Sequence, residues 1–261
     1  MQPQPDSVPR TEMEREEQQA YAASNVPFAP SPEEAARPED EGNAVSIQQL
    51  SHPLSRKGRR LIAKVESYLR LGQRAKAKQQ LTQAIKEPSA APYAHAILGT
   101  EYLRDGQAQA AIPELEDAAR VLPIAGIHSN LGFALCLTGQ GKRAEQELQE
   151  ALRLDGDLPK ARFLMGVLLL NEKSRDREAQ YDLKIAQAHV RSAHLALAVC
   201  YLRRGEMEAA QQQLRTYLGP DYDTKILSLW QWAFAAALDA HPAAHFGLHV
   251  EDSESSDIAR Q

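Results

Sequence analysis

From Ser55 to Leu218 apolar residues recur three and four apart between short polar breaks, which is the period of amphipathic helices and not of strands. The helical pattern itself repeats. Glycines at 72, 106, 139 and 205 are separated by 34, 33 and twice 33 residues. An alanine follows each glycine by five residues (Ala77, Ala111, Ala144, Ala210) and a leucine follows each alanine by four (Leu81, Leu115, Leu148, Leu214). Self-similarity at this period marks stacked supersecondary units. The absent member of the series falls near Lys173, where Ala179, Leu183 and Ala186 keep the spacing one residue late.

Each unit reads as two antiparallel helices meeting at the glycine, whose backbone is expected to be left-handed there. The small residues let the helices approach, and the leucine fills the space beside them. Pro88 to Pro92, Pro123, and Asp155-Gly156-Asp157 with Pro159 separate the units. A single hairpin leaves an apolar face that only its neighbour can cover, so the units must stack. The expected fold is all-α. Three departures stand out: Pro113 falls early in a second helix and removes one internal hydrogen bond. The spacing from Ala186 to Leu197 is about three residues short, and the polar run from Arg175 to Gln180 points to a remodelled turn after Leu170.

These residues resemble the tetratricopeptide repeat family. The resemblance is carried by Leu98-Gly99, Tyr102, Gly106, Ala111, Leu115, Ala118 and Pro123, and by Leu131-Gly132, Gly139, Ala144, Leu148 and Ala151. It continues through Met165-Gly166, and through Leu197-Ala198, Tyr201, Gly205, Ala210 and Leu214. The first unit keeps Tyr68, Gly72, Ala77, Leu81 and Ala84 but has Lys64-Val65 where the family prefers a bulky residue and then glycine. The resemblance covers roughly 58–220 in about five repeats. It implies a right-handed superhelix of stacked antiparallel hairpins with a concave binding surface. It implies no chemistry.

Composition changes the picture at the ends. Residues 1–42 read as an acidic, Pro-rich disordered tail, because Pro, Glu, Gln and Ser bury too little apolar area to offset ordering. Residues 43–57 form a lead-in, and 58–220 the repeat domain. Residues 55–86 carry ten basic side chains against Glu66, a reversal of the tail's charge. After Gly219-Pro220, residues 223–240 form one more helix with a broad apolar band, expected to cap the last repeat or to contact a second chain. Residues 241–261 become an irregular acidic tail. The polar, acidic start is not that of a secretory signal. Cys136 and Cys200 are too few for a disulfide framework. Both suit a cytoplasmic protein, with a periplasmic one following if the true N-terminus differs. No stretch is long and apolar enough to span a membrane.

The first helices should line the concave face, and their inward positions supply the candidate site. Phe133, Leu137, Phe163, Val167 and Leu170 form an apolar middle able to receive an amphipathic helix or an extended peptide. Arg59, Arg70, Arg104 and Arg203 would orient polar or acidic groups of that partner. Three alternatives stay open: a separate protein ligand, cover by the chain's own 43–57 segment or a second copy, or inward faces that are themselves core. Some family members clamp a terminal carboxylate with Asn and Lys or Arg, but Asn130 lies one position off the inward line and Asn171 is isolated, so no such clamp is expected. The basic stretch would attract an acidic segment, the chain's own tail first of all. Without stacking aromatics beside it, nucleic acid is not an expected partner.

His241, His245 and His249 recur every four residues, but no Cys or Asp pair completes a four-ligand set, so no metal site is expected. The remaining histidines lack nearby carboxylates or nucleophiles, and no phosphate loop or nucleophile elbow is present. The reading is a non-enzymatic protein-interaction adaptor without cofactor, monomer or homodimer. The alternative is a structural or assembly subunit of an envelope, pilus or secretion complex with homotypic association.

Overall fold

The computed structural model describes residues 53–219, 222–239 and 242–246; the expectations for the acidic tail, most of the lead-in, His241, His249 and the acidic end lie outside them. Helices α1 (Arg56–Arg70) and α2 (Arg74–Ala84) form the first hairpin, and α3 (Ala91–Arg104) and α4 (Ala108–Ala119) the second. Then come α5 (Ala125–Leu137) with α6 (Gly141–Leu154), α7 (Pro159–Leu169) with α8 (Asp176–Ala186), and α9 (Ser192–Arg203) with α10 (Met207–Leu218). Helix α11 (Tyr222–Leu238) and a short 3-10 turn, Pro242–Phe246, follow. The all-α fold expected from the periodicity is present.

Two kinds of glycine shape the hairpins. Gly106 has φ +70°, and a Cβ there would meet nothing within 4 Å, so the backbone angle alone demands glycine. Its turn lets the N–H of Gln107 donate to the Tyr102 carbonyl at 2.8 Å, which closes the end of α3. Gly132, inside α5, is the opposite case: a Cβ would lie 2.8 Å from Leu148 Cγ on α6. The same encounter joins Gly99 to Leu115 and Gly166 to Leu183, at 2.6 and 2.5 Å. In these three hairpins the leucine of the second helix thus packs into the notch of the first, and Ala111, Ala144 and Ala179 are buried beside it.

The fourth hairpin lacks a turn glycine. A 3-10 turn over Lys173–Arg175 carries the chain from α7 into α8 instead, which is how the polar run after Leu170 is accommodated. Pro113 lies within α4 on its exposed side. The link 187–191 before α9 matches its counterpart 120–124 before α5, so the short spacing from Ala186 to Leu197 comes off the helix ends and not the connection. Ser55 caps α1, its hydroxyl accepting from the Gly58 N–H at 2.9 Å.

Each second helix packs on the next first helix, and first helices also touch one another, α3 with α5, α5 with α7 and α7 with α9. They form the inner row of the superhelix. Helix α11 takes the place a sixth first helix would occupy, packing on α9 and α10 through Leu229, Trp232, Ala233 and Ala236. The 3-10 turn then doubles back past the fifth hairpin and touches α7 of the fourth.

Candidate binding surface on the inner helices

The expected apolar floor is present but covered. Phe133 and Phe163 are only 2% and 1% exposed, and Val167 and Leu170 are fully buried; Leu137 is half-buried. The open apolar groove read from the sequence is therefore corrected. Phe163 is sealed by the chain's own C-terminal turn, and Phe133 by a lysine. Neither cover was anticipated, since the candidates for internal cover were residues 43–57 and a second copy.

The lysine is Lys160, at the start of α7. Its ammonium stands 4.9 Å from the centroid of the Phe133 ring and donates to Asn130 Oδ1 at 2.8 Å. Asn130 Nδ2 donates in turn to Thr100 Oγ1 at 3.2 Å, so one polar ladder crosses three successive first helices. Burial, and after it the nearby Arg104 guanidinium, push the Lys160 pKa down to about 8. No carboxylate lies within ion-pair distance of Lys160 among the described residues. Asn130, set aside at the sequence level, is thus part of the inner-face cluster. Its partners Thr100 and Lys160 each lie 30 residues away, one helical turn less than the 33-residue repeat. That offset is the signal that could have found the ladder.

At the other end of the inner row, Phe246 of the 3-10 turn meets Phe163 edge-on at 6.5 Å and Trp232 of α11 edge-on at 5.3 Å. The Ala243 N–H donates to Asn171 Oδ1 at 3.0 Å. Pro242, Ala243 and Phe246 are buried in this seat. Two donors within it, Asn171 Nδ2 and the Trp232 indole N–H, have no acceptor among the described residues.

Of the four arginines, Arg59, Arg70 and Arg104 are exposed. Arg203 is not. Its guanidinium binds the Leu170 carbonyl at the end of α7 and pairs with Asp176 at 3.0 Å, with its side chain 4% exposed. It is a strut between the fourth and fifth hairpins, which corrects its assignment as a contact residue. In the basic stretch Lys57 pairs with Glu87, Arg74 with Glu101 and Asp105, and Lys78 with Asp105.

His95 and His128 do have carboxylate partners, Glu114 at 2.6 Å and Glu147 at 2.8 Å, each 19 residues on and across its hairpin. Local spacing hides such pairs; they tie first helix to second and leave no relay. His245 pairs with Asp239 at 2.8 Å. Burial pushes both cysteine thiols up to about 12, so neither is a thiolate at neutral pH. Among the described residues no group of three or more His, Cys, Asp or Glu is placed to hold a metal ion. No described helix is long and apolar enough to cross a membrane.

Comparison with known proteins places these features in context. A tetratricopeptide repeat family model matches residues 62–126. A TPR repeat-containing protein of Pseudomonas aeruginosa is 36% identical over 121 residues, 42% of this chain and 49% of the relative. The chain thus spans about half the length of the curated relative it matches. Among solved structures, YrrB, a TPR protein described as having an unusual peptide-binding site, superposes with a TM-score of 0.54 at 22% identity, over 66% of this chain and 89% of that one. MamA superposes with a TM-score of 0.52 at 16% identity, over 62% and 96% of the two chains. At such identities the likeness is one of fold.

Proposed function

Because the chain belongs to the tetratricopeptide repeat family, whose fold is that of a protein–protein interaction module, we propose that it is an adaptor holding an acidic peptide segment on its inner row of helices, centred on Lys160. One observation carries this reading: an ammonium set on the Phe133 ring and held by Asn130, beside the Arg104 guanidinium, with no acidic side chain of the described chain to neutralise it. A half-buried cation is costly unless paired, and a carboxylate from a partner would pair it. Arg104, paired with Glu101 on its own helix, adds positive charge beside Lys160, while Arg59 and Arg70, exposed on α1, lie toward the N-terminal entrance and favour approach of a negatively charged segment. Half-buried Leu137 offers apolar contact. YrrB, with the same fold, carries a peptide-binding site of its own.

Peptide selection from a random displayed library tests this. Peptides retained by the wild-type chain should be enriched in Asp and Glu, and Lys160→Met should lose that enrichment while keeping its helical content. Equal acidic enrichment on both proteins, or no retained peptides at all, would overturn the reading.

A further inference from the structure

The fold-back of the C-terminal turn shows what else the inner row accepts. Residues Pro242–Phe246 form a five-residue 3-10 turn and not a continuation of α11, yet three of the five are buried. The turn packs on α7 and α11. Its grip consists of the Phe246 ring between Phe163 and Trp232, the His245 ring edge-on to Trp232 at 6.3 Å and paired with Asp239, and one N–H on the Asn171 amide. The grip is also incomplete. Among the described residues Asn171 receives a donor but finds no acceptor for its own N–H, and the Trp232 indole, in a residue 5% exposed, finds none either. A 3-10 turn uses its carbonyls internally. An extended peptide has both groups free, and can give an N–H to the Asn171 oxygen while its carbonyls take the two stranded donors.

We propose that Pro242–Phe246 is a ligand bound in cis, and that its seat on Phe163, Asn171 and Trp232 recognises an extended partner peptide carrying an aromatic side chain, which displaces it. This rests on the reading that the inner row takes peptides, and adds to it a second, aromatic-reading position beside the acidic one. Only residues 239–241 separate the turn from the end of α11, and so short a tether holds a segment at an effective concentration of about millimolar. A free peptide making the same contacts is therefore excluded until the tethered copy is loosened. A partner that satisfies the two stranded donors gains what the turn lacks.

The experiment uses the full chain and, as probe, a fluorescein-labelled synthetic peptide of its own residues 241–247. Phe246→Ala should bind the probe at least about tenfold more tightly than wild type, since the tethered competitor has lost its ring. Ala243→Pro, which removes the N–H given to Asn171, loosens the turn by a different route and should act in the same direction. Adding Asn171→Ala to either variant should reverse the gain. In a Trp230→Phe background the remaining Trp232 reports the seat directly: its emission shifts to the red in Phe246→Ala and returns when probe is added. Helical content and melting temperature identify any variant that fails to fold. If neither loosened variant binds more tightly than wild type, or if binding leaves Trp232 emission unchanged, the turn is a fixed part of the fold and the proposal falls. Should that happen while acidic enrichment through Lys160 persists, only the aromatic position is lost. Failure of both would remove peptide binding on the inner row altogether. A gain that appears with dimer formation in light scattering would instead mark exchange of the turn between two copies, and would also overturn the proposal.

Discussion

Lys160 shows how a single side chain can be held against its own preference. An ordinary lysine titrates at 10.5, and in the folded chain this one is brought down to about 8, chiefly by burial and then by Arg104. At neutral pH the folded state carries the charge at a cost. Between about 8 and 10.5 the folded chain has released a proton that the unfolded chain still binds, so the stability of the fold rises with pH over that window as the cost is relieved. Lys160→Met keeps the stem over Phe133 and removes the charge. It should raise the melting temperature by about 3 °C at pH 7, and the difference should fade as pH approaches 10. Thermal melts of both proteins across pH 7 to 10 decide the matter, and a constant difference would mean that the ammonium is well solvated. The same lysine, with its ladder to Asn130 and Thr100, was not legible from repeat register. Successive first helices are rotated against one another, so side chains that meet across them lie 30 residues apart and not 33. Aligning the repeats to each other therefore hides their contacts.

Within a hairpin, the notch and its leucine carry the packing. In Gly132→Ala the new methyl would stand 2.8 Å from Leu148 Cγ and 3.4 Å from the Ala144 carbonyl oxygen, so one helix must shift. The expected loss is about 1–3 kcal/mol. Leu148→Ala alone should cost about 2–5 kcal/mol through its cavity. The double variant should lose less than the sum, because the alanine at 132 occupies part of the space that the leucine leaves. Denaturant titration of the four proteins tests this, and strict additivity would show that the two residues do not share the notch. This level of the fold was fully legible, since Gly, Ala and Leu recur where only their sizes fit. The fourth hairpin was readable through Ala179, Leu183 and Ala186 even without its turn glycine, because packing fixes those three positions and the turn does not. Exposure was harder to read. The same inward spacing describes a floor open to solvent and one sealed by a segment more than 80 residues away, as Phe163 is by Phe246.

Across the whole molecule, stability is distributed among neighbouring hairpins, and Arg203 marks one of the joints. It links the end of α7 to Asp176 at the start of α8 from its own place on α9. Burial raises the Asp176 pKa and Arg203 opposes that rise, so removing the guanidinium leaves the carboxyl without its main partner. Arg203→Met should cost about 3–5 kcal/mol. In a stack where each hairpin contacts mainly its neighbours, the damage should stay local. Hydrogen exchange should quicken in α7 to α10 and leave α1 to α4 protected; equal quickening throughout would mean that the molecule opens as one unit. The doubling-back of Pro242–Phe246 qualifies this picture at one end. A purely serial stack frays like a zipper, tooth by tooth, but a latch that skips a tooth joins the fourth hairpin to the terminal helix across the fifth. While the latch is shut, α11 is held to the stack at two places instead of one, and whatever opens the latch leaves it held by the fifth hairpin alone.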